Sequence, residues 1–330
     1  GRAATELSTV FGVNIPLRWS IAHLHQAVID AEPHVTELGH ITTLAGYVHE
    51  RLTGERVLGV GDASGVFPIR NGAYDADLIA RYDALASDGL PVPSLLDLLP
   101  AVLPAGAVAG TLTAEGAALL DPTGILRPGA LACPPEGDAG TGMVATNSVA
   151  PRTGNVSAGT SIFAMVVLER ELSQPHDELD LVTTPAGDPV AMVHCNNGAS
   201  ELAAWAGLFS RFAEAAGTGI DQDAVYETLL TEALVGEADA GGLLAYNHLA
   251  GEPIAGLTEG RPLFVRTPDS RFTLANTMRA QVYGVFATLA LGMRVLEHEG
   301  VELDAMYAHG GMFRTAGVAQ RFLAGALNAP

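Results

Sequence analysis

The chain has 330 residues, 48% of them hydrophobic, and a formal net charge of −20. That length suffices for two domains around a large buried core, and the charge opposes partners such as nucleic acid or an anionic membrane surface. No apolar run approaches the roughly 18 residues needed to span a bilayer. Gly1–Leu7 carries no signal-peptide pattern, and Cys133 and Cys195 make no disulfide framework, so a reduced, cytoplasmic compartment is expected. All 17 basic residues are arginine, a bias that a GC-rich genome explains. Without a lysine there is no Walker-type phosphate loop. An anionic nucleotide would have to be held locally, by backbone N–H groups, helix N-termini, arginine and a metal ion.

In chain order, the spacing of apolar residues predicts helices over Leu17–Val28 and Leu38–Leu52, the second ending before Gly54. Arg56–Ile69 is short and glycine-punctuated and reads as a strand with turns. Ala76–Ala86 is helical, and Pro91–Pro104 is loop with a short helix. Thr113–Leu120 forms a short helix with Thr111 or Thr113 as its N-cap. A short strand is expected at Leu131–Cys133 and a helix over Ala139–Ser148. Pro151–Gly154 is a polar turn and the predicted domain boundary, dividing 1–150 from 151–330. Runs of β-character follow at Val156–Leu168, Leu181–Thr184 and Val190–His194. Helices are predicted at Ser200–Ala216, Asp223–Leu234, Thr273–His298 and Arg314–Leu327, with strands at Leu263–Val265 and Ala305–Ala308. Strands alternating with helices imply an α/β architecture. No GxGxxG turn joins a strand to a helix, which argues against a dinucleotide-binding domain.

Four glycine-rich segments bear polar chemistry. Gly137-Asp138 opens a turn in which Asp138 reads as a helix N-cap, as a general base toward a substrate hydroxyl, or as a Mg²⁺ ligand. Ser157–Ser161 reads as an ordinary hairpin turn or as backbone and hydroxyl groups that cradle an anion. Gly61-Asp62-Ala63-Ser64-Gly65 reads as a surface turn or as a place where Asp62 meets substrate hydroxyls. Gly310-Gly311 reads as a strand-to-helix turn or as a platform for a flat ligand such as adenine, with His309 beside it as a structural residue. The histidines at 23, 25, 34, 40 and 49 lack the spacing of a zinc site. His194-Cys195 gives no nucleophile signature. An esterase reading fails because Ser64 is displaced by one position in its elbow, Asn155 replaces the elbow glycine before Ser157, and His309-Gly310-Gly311 follows both.

Taken in order, these segments resemble the FGGY carbohydrate kinases, which have the actin-like, RNase H-like ATPase fold: two domains with mixed sheets flanked by helices. Asn14–Trp19 followed by His40–Gly54 resembles the family's early helices, and Gly61–Gly65 its Asp-Ala-Ser loop. Gly137-Asp138 resembles the segment bearing the catalytic base, Ser157–Ser161 the second phosphate turn, and Gly310-Gly311 the adenosine segment. The resemblance runs from about residue 11 to the end.

It implies an enzyme that uses ATP and Mg²⁺ to phosphorylate a sugar hydroxyl. Asp138 would be the base, and Asp62, Ser64 and Gly137 would bind substrate. Gly159, Thr160 and Ser161 would hold the ATP phosphates, and Gly310, Gly311 and Thr315 would line the adenosine site. No residue is assigned to the metal. The sugar would lie in a cleft between the domains. The xylulose kinase branch is the nearest likeness, with a ketose such as xylulose or a related polyol as substrate and a homodimer as a possible assembly. The resemblance assigns 1–150 to the remainder of the sugar-binding domain and 151–330 to an incomplete ATP-binding domain.

Two departures stand out. The family's opening Asp-x-Gly-Thr hairpin is absent, as are its last strand and helix. The adenosine segment reads Gly-Gly-Met-Phe-Arg-Thr where Gly-Gly-Gly-Ala is usual. The expectation is an internal fragment that is inactive alone. An actin-like ATPase without a sugar substrate, or a nucleotide-binding interaction domain, is the alternative.

Overall fold

The computed structural model describes residues 7–9, 11–12, 14–86, 92–315 and 317–329. All of the N-terminal Gly1–Leu7 except Leu7, and Pro91 of the proline-rich stretch, lie outside the described residues. The chain divides into two compact units. The first comprises Gly1–Val149, Val167–His176 and Asp180–Ala191, and the second Ala150–Val166, Asp177–Leu179 and Met192–Pro330.

In the first unit, helix α1 (Ser20–Ile29) buries Ile21, Leu24 and Val28, which recur at helical spacing. Their core includes Trp19, Val35, Phe67, Leu78, Ile79 and Tyr82. Phe67 is its aromatic centre, edge-on to Phe11 with ring centroids 5.5 Å apart and to Tyr82 at 6.4 Å. Helix α2 (Leu44–Thr53) starts where the Thr43 hydroxyl accepts the Gly46 N–H at 3.1 Å, and stops at Gly54. The predicted helix over Leu38–Leu52 is thus shortened at its start: Thr43 is extended and cannot lie inside it.

Strand β1 (Val57–Gly59) pairs in parallel with β2 (Ala101–Leu103). It feeds directly into a five-residue helix, α3 (Val60–Ser64). This corrects the reading of Gly61–Gly65 as a polar surface loop: Ala63 and Ser64 are buried. Helix α4 (Ala114–Leu120) is capped by Thr113, whose hydroxyl accepts the Gly116 N–H at 2.9 Å. The strand expected at Leu131–Cys133 reduces to a single bridge, Thr111 to Leu131. Helix α5 (Asp138–Ala145) closes the unit's first segment.

The second unit is built on a sheet whose central hairpin joins β3 (Thr153–Ala158) to β4 (Ile162–Val167) in antiparallel register, Ala158 opposite Ile162. The strand Ala305–His309 adds to β3 in parallel, with His309 opposite Ser157. Helices α6 (Ser200–Ala215) and α7 (Gln222–Val235) come next. Helix α8 (Leu274–His298) is the spine of the unit: its buried side chains include Met278, Val282, Val285, Phe286, Leu289 and Leu296. Thr273 caps it through Asn276 N–H at 3.1 Å. The last helix, α9, covers Ala319–Leu327, five residues later than the Arg314 start expected from periodicity, because Gly311–Phe313 forms a 3₁₀ turn first. Both cysteines are free; Cys195 is buried, and burial pushes its thiol pKa up. Among the described residues no helix is long and apolar enough to cross a membrane.

Candidate functional site

In the first unit, three carboxyl groups gather around α3. Glu136 supplies the missing cap: its carboxylate accepts the N–H groups of Gly61 at 3.2 Å and Asp62 at 2.8 Å. Asp62 accepts a 2.6 Å hydrogen bond from the Thr43 hydroxyl, and Gly137 lies against its carboxylate. Burial raises the carboxyl pKa of Asp62 above its ordinary range, the Thr43 bond opposes this, and the negative charge of Asp138 adds to it. Burial likewise raises Glu136, against the pull of the two N–H groups it accepts.

Asp138 is exposed and is the first residue of α5. This corrects its reading as the helix N-cap: the cap is Gly137, which has no side chain to offer. The Asp138 carboxylate makes no hydrogen bond or ion pair with the described residues and stands in the first turn, where the helix dipole favours an anion. Ser64 is 2% exposed. Its hydroxyl donates to Gly61 O at 2.6 Å and accepts the Thr183 N–H at 3.0 Å.

The raised Asp62 has a measurable consequence. A carboxyl whose folded pKa lies above its unfolded one contributes stability below the unfolded value and loses it as pH rises through the folded one. Above that window, which begins near 3.8, the buried charge is a cost. Asp62→Asn keeps an acceptor for Thr43 and removes the charge, so the variant should melt roughly 1–3 °C higher at neutral pH. The gain should vanish as pH falls toward 4 or so. Thermal melts across pH check this; a gain that grows in acid would overturn it.

In the second unit, a cavity of about 660 Å³ opens beside the β3–β4 tip, a size suited to a small ligand. It is lined by Gly159 and Thr160 from the hairpin and by Gly311, Met312, Arg314 and Thr315 beyond the strand Ala305–His309. The structure therefore brings Gly159, Thr160, Gly311 and Thr315 to one cavity. Ser161 and Gly310 do not line it; they shape the turns that do. Helix α7 contributes Asp223, Tyr226 and Glu227, which the sequence reading did not assign. Their i, i+3, i+4 spacing within the predicted Asp223–Leu234 helix was the available signal.

The hairpin tip is fastened from one side, Ala199 N–H donating to Gly159 O at 2.9 Å and Gly198 N–H to Thr160 O at 2.8 Å. Met312 and Phe313, which depart from the expected small residues, are mostly buried, and Phe313 lies 6.5 Å from the Phe286 ring of α8. They fill core space.

Solved structures share this architecture. Xylulose kinase from Rhodospirillum rubrum is 22% identical with a TM-score of 0.77, covering 99% of this chain and 62% of its own. Gluconate kinase from Lactobacillus acidophilus is 16% identical with a TM-score of 0.74 and the same coverage. Glycerol kinase from Plasmodium falciparum, solved with ADP, is 12% identical at 0.72, again with 99% and 62% covered. The chain thus spans about 62% of the length of these kinases. No curated protein matches it. The fold is the α/β, actin-like ATPase fold of these sugar kinases. Residues 154–330 match the model for the C-terminal domain of the FGGY family of carbohydrate kinases, and the chain belongs to that family.

Proposed function

We propose that the protein transfers the terminal phosphoryl group of ATP to a sugar hydroxyl, on a ketose such as xylulose or a related polyol. The observation that carries this reading is the cavity of the second unit, where the Gly159-Thr160 turn and the Gly311–Thr315 segment meet within the family match. The Gly159-Thr160-Ser161 turn would hold the phosphates through the Thr160 N–H and the Thr160 and Ser161 hydroxyls, with Gly159, whose N–H donates to Ser161 O at 2.9 Å, letting the phosphates approach the backbone closely. Gly310 and Gly311 would shape the floor under adenosine, with Thr315 beside it. In the first unit Asp138 would accept the proton of the attacking hydroxyl as the phosphoryl group is transferred. Asp62 would hold the sugar through its hydroxyls, with Gly137 leaving room at its side. Ser64, its hydroxyl already engaged on both sides, would support α3. On this reading 1–150 serves the sugar and 151–330 serves ATP.

Among the described residues no three His, Cys, Asp or Glu side chains gather to hold a metal ion. Mg²⁺ would enter bound to the ATP phosphates and supply charge neutralisation there. The structures of xylulose, gluconate and glycerol kinases match almost equally well, so the substrate is a question for a panel. ADP release by the full-length protein, measured across ketoses, polyols and gluconate, should rise at least about tenfold with one of them, a margin that binding differences between related sugars supply. ADP release that no sugar stimulates would replace this reading with an actin-like ATPase. Nucleotide binding without release would replace it with a binding domain.

A further inference from the structure

Behind the hairpin tip of the second unit lies a buried polar knot that no catalytic role explains. Glu252 is 0% exposed, Asn197 4% and Asn247 2%. One carboxylate oxygen of Glu252 accepts the Asn197 backbone N–H at 3.2 Å and its side-chain Nδ2 at 2.9 Å. The same Nδ2 donates to Ala250 O at 3.1 Å, and Asn197 Oδ1 accepts the Ala250 N–H at 2.8 Å. Asn247 Nδ2 donates to Asn197 O at 3.1 Å and to Gly198 O at 2.9 Å. Every one of these bonds ends on residues 197–198, the stretch whose next N–H groups grip Gly159 and Thr160.

The approach there is close. A Cβ on Gly198 would sit 2.5 Å from Gly159 O and 2.7 Å from Ser161 C, so the segment and the tip cannot shift independently. Glu252 has no basic partner among the described residues, and its second oxygen has no hydrogen bond. A buried acid in that state costs free energy. A hydrophobic residue would fill the volume without that cost, but it could not accept two N–H groups from Asn197.

We infer that Glu252 is a positioning residue for the phosphate turn: through Asn197 and Gly198 it fixes where the tip, closed by the Gly159 N–H donating to Ser161 O at 2.9 Å, presents the Thr160 N–H and hydroxyl to the nucleotide. The inference rests on the reading of Gly159–Ser161 as the ATP phosphate turn. It assigns Asn247 the same duty from the other side. The hairpin tip is exposed at Gly159 and Thr160, and an exposed tip without such a brace would have to be ordered by the ligand at each binding event.

The test compares Glu252→Ala with Glu252→Gln in the full-length protein. Glu252→Ala should raise the KM for ATP and the Kd for ADP about tenfold, the loss of roughly one or two buried hydrogen bonds, while the KM for the sugar stays within about twofold. Glu252→Gln keeps an oxygen acceptor and should recover most of the nucleotide affinity. A folded Glu252→Ala that moves both KM values together, or neither, overturns the positioning role. Thr160→Val separates the two claims. If it leaves ADP affinity unchanged, the phosphate-turn reading fails. If it weakens ADP while Glu252→Ala does not, only the positioning role fails. Should Glu252→Ala not fold, hydrogen exchange in the unaltered protein decides. The Gly198 and Ala199 N–H groups should exchange as slowly as those of β4, and exchange at loop rates would overturn the brace.

Discussion

Replacing Asp138 by asparagine is expected to lower sugar-dependent ADP release by the full-length protein about a thousandfold, the usual weight of a general base. Nucleotide affinity should remain within about twofold, because the proposed phosphate turn belongs to the other unit and general-base catalysis does not act on ground-state binding. The side chain is exposed, caps no helix and bonds to no described residue, so the melting temperature should move by less than about 2 °C. That combination separates a catalytic loss from a folding loss. Asparagine has nearly the same shape but cannot accept the proton at the oxygen it replaces with an NH₂ group. Steady-state kinetics at saturating ATP, with an ADP titration alongside, provide the check. Turnover above a few per cent of the unaltered protein would remove Asp138 from the role of base. A matching fall in ADP affinity would instead point to damage reaching the nucleotide site.

What could be read from the sequence divides along the range of the forces involved. The helices beginning at Thr113 and Thr273 were legible because each is set by a side chain that caps its own third residue, whereas the expected helix from Leu38 ran through Thr43, the residue that caps it. The α/β alternation was legible because strands β3 and β4 carry their own apolar pattern. Helix α3 was not. Gly-Asp-Ala-Ser has little helical propensity, and the carboxylate that caps it belongs to Glu136, some 75 residues away in sequence. The glycine turns themselves stand out at once, yet the means of holding them do not. Asn197 and Glu252 are separated by 55 residues and sit in stretches with no pattern of their own. Asp138 was legible as an acid beside glycines, and its exact place in the helix was not, since Gly137 and Asp138 are both residues that commonly serve as an N-cap. The supports of the site are long-range, and its exposed groups are local.

The two glycines at 310 and 311 should behave in opposite ways when a methyl group is added. Gly310 has φ +112° and ψ 173°, a region closed to residues with a side chain. A Cβ there would also run into the carbonyl oxygen of Ala158, at the end of β3. Gly310→Ala must therefore shift either the end of that strand or the 3₁₀ turn that follows, and both line the cavity. A cost of about 3 kcal/mol is expected from backbone strain and overlap together. That corresponds to a melting point lower by roughly 6–10 °C, and ADP affinity should fall at least about tenfold, as displaced binding groups do. A methyl group on Gly311 meets no atom within 4 Å, so Gly311→Ala should melt within about 1 °C of the unaltered protein. Gly311 nevertheless lines the cavity, and a methyl group lying on the proposed adenosine surface should weaken ADP about threefold to tenfold by holding the ring away. Calorimetric melts and ADP titrations on the pair distinguish the two roles. Equal melting points would mean that the Gly310 backbone does not need its left-handed geometry. Unchanged ADP affinity in Gly311→Ala would mean that adenosine does not rest on this turn, whatever Gly310 contributes to the fold.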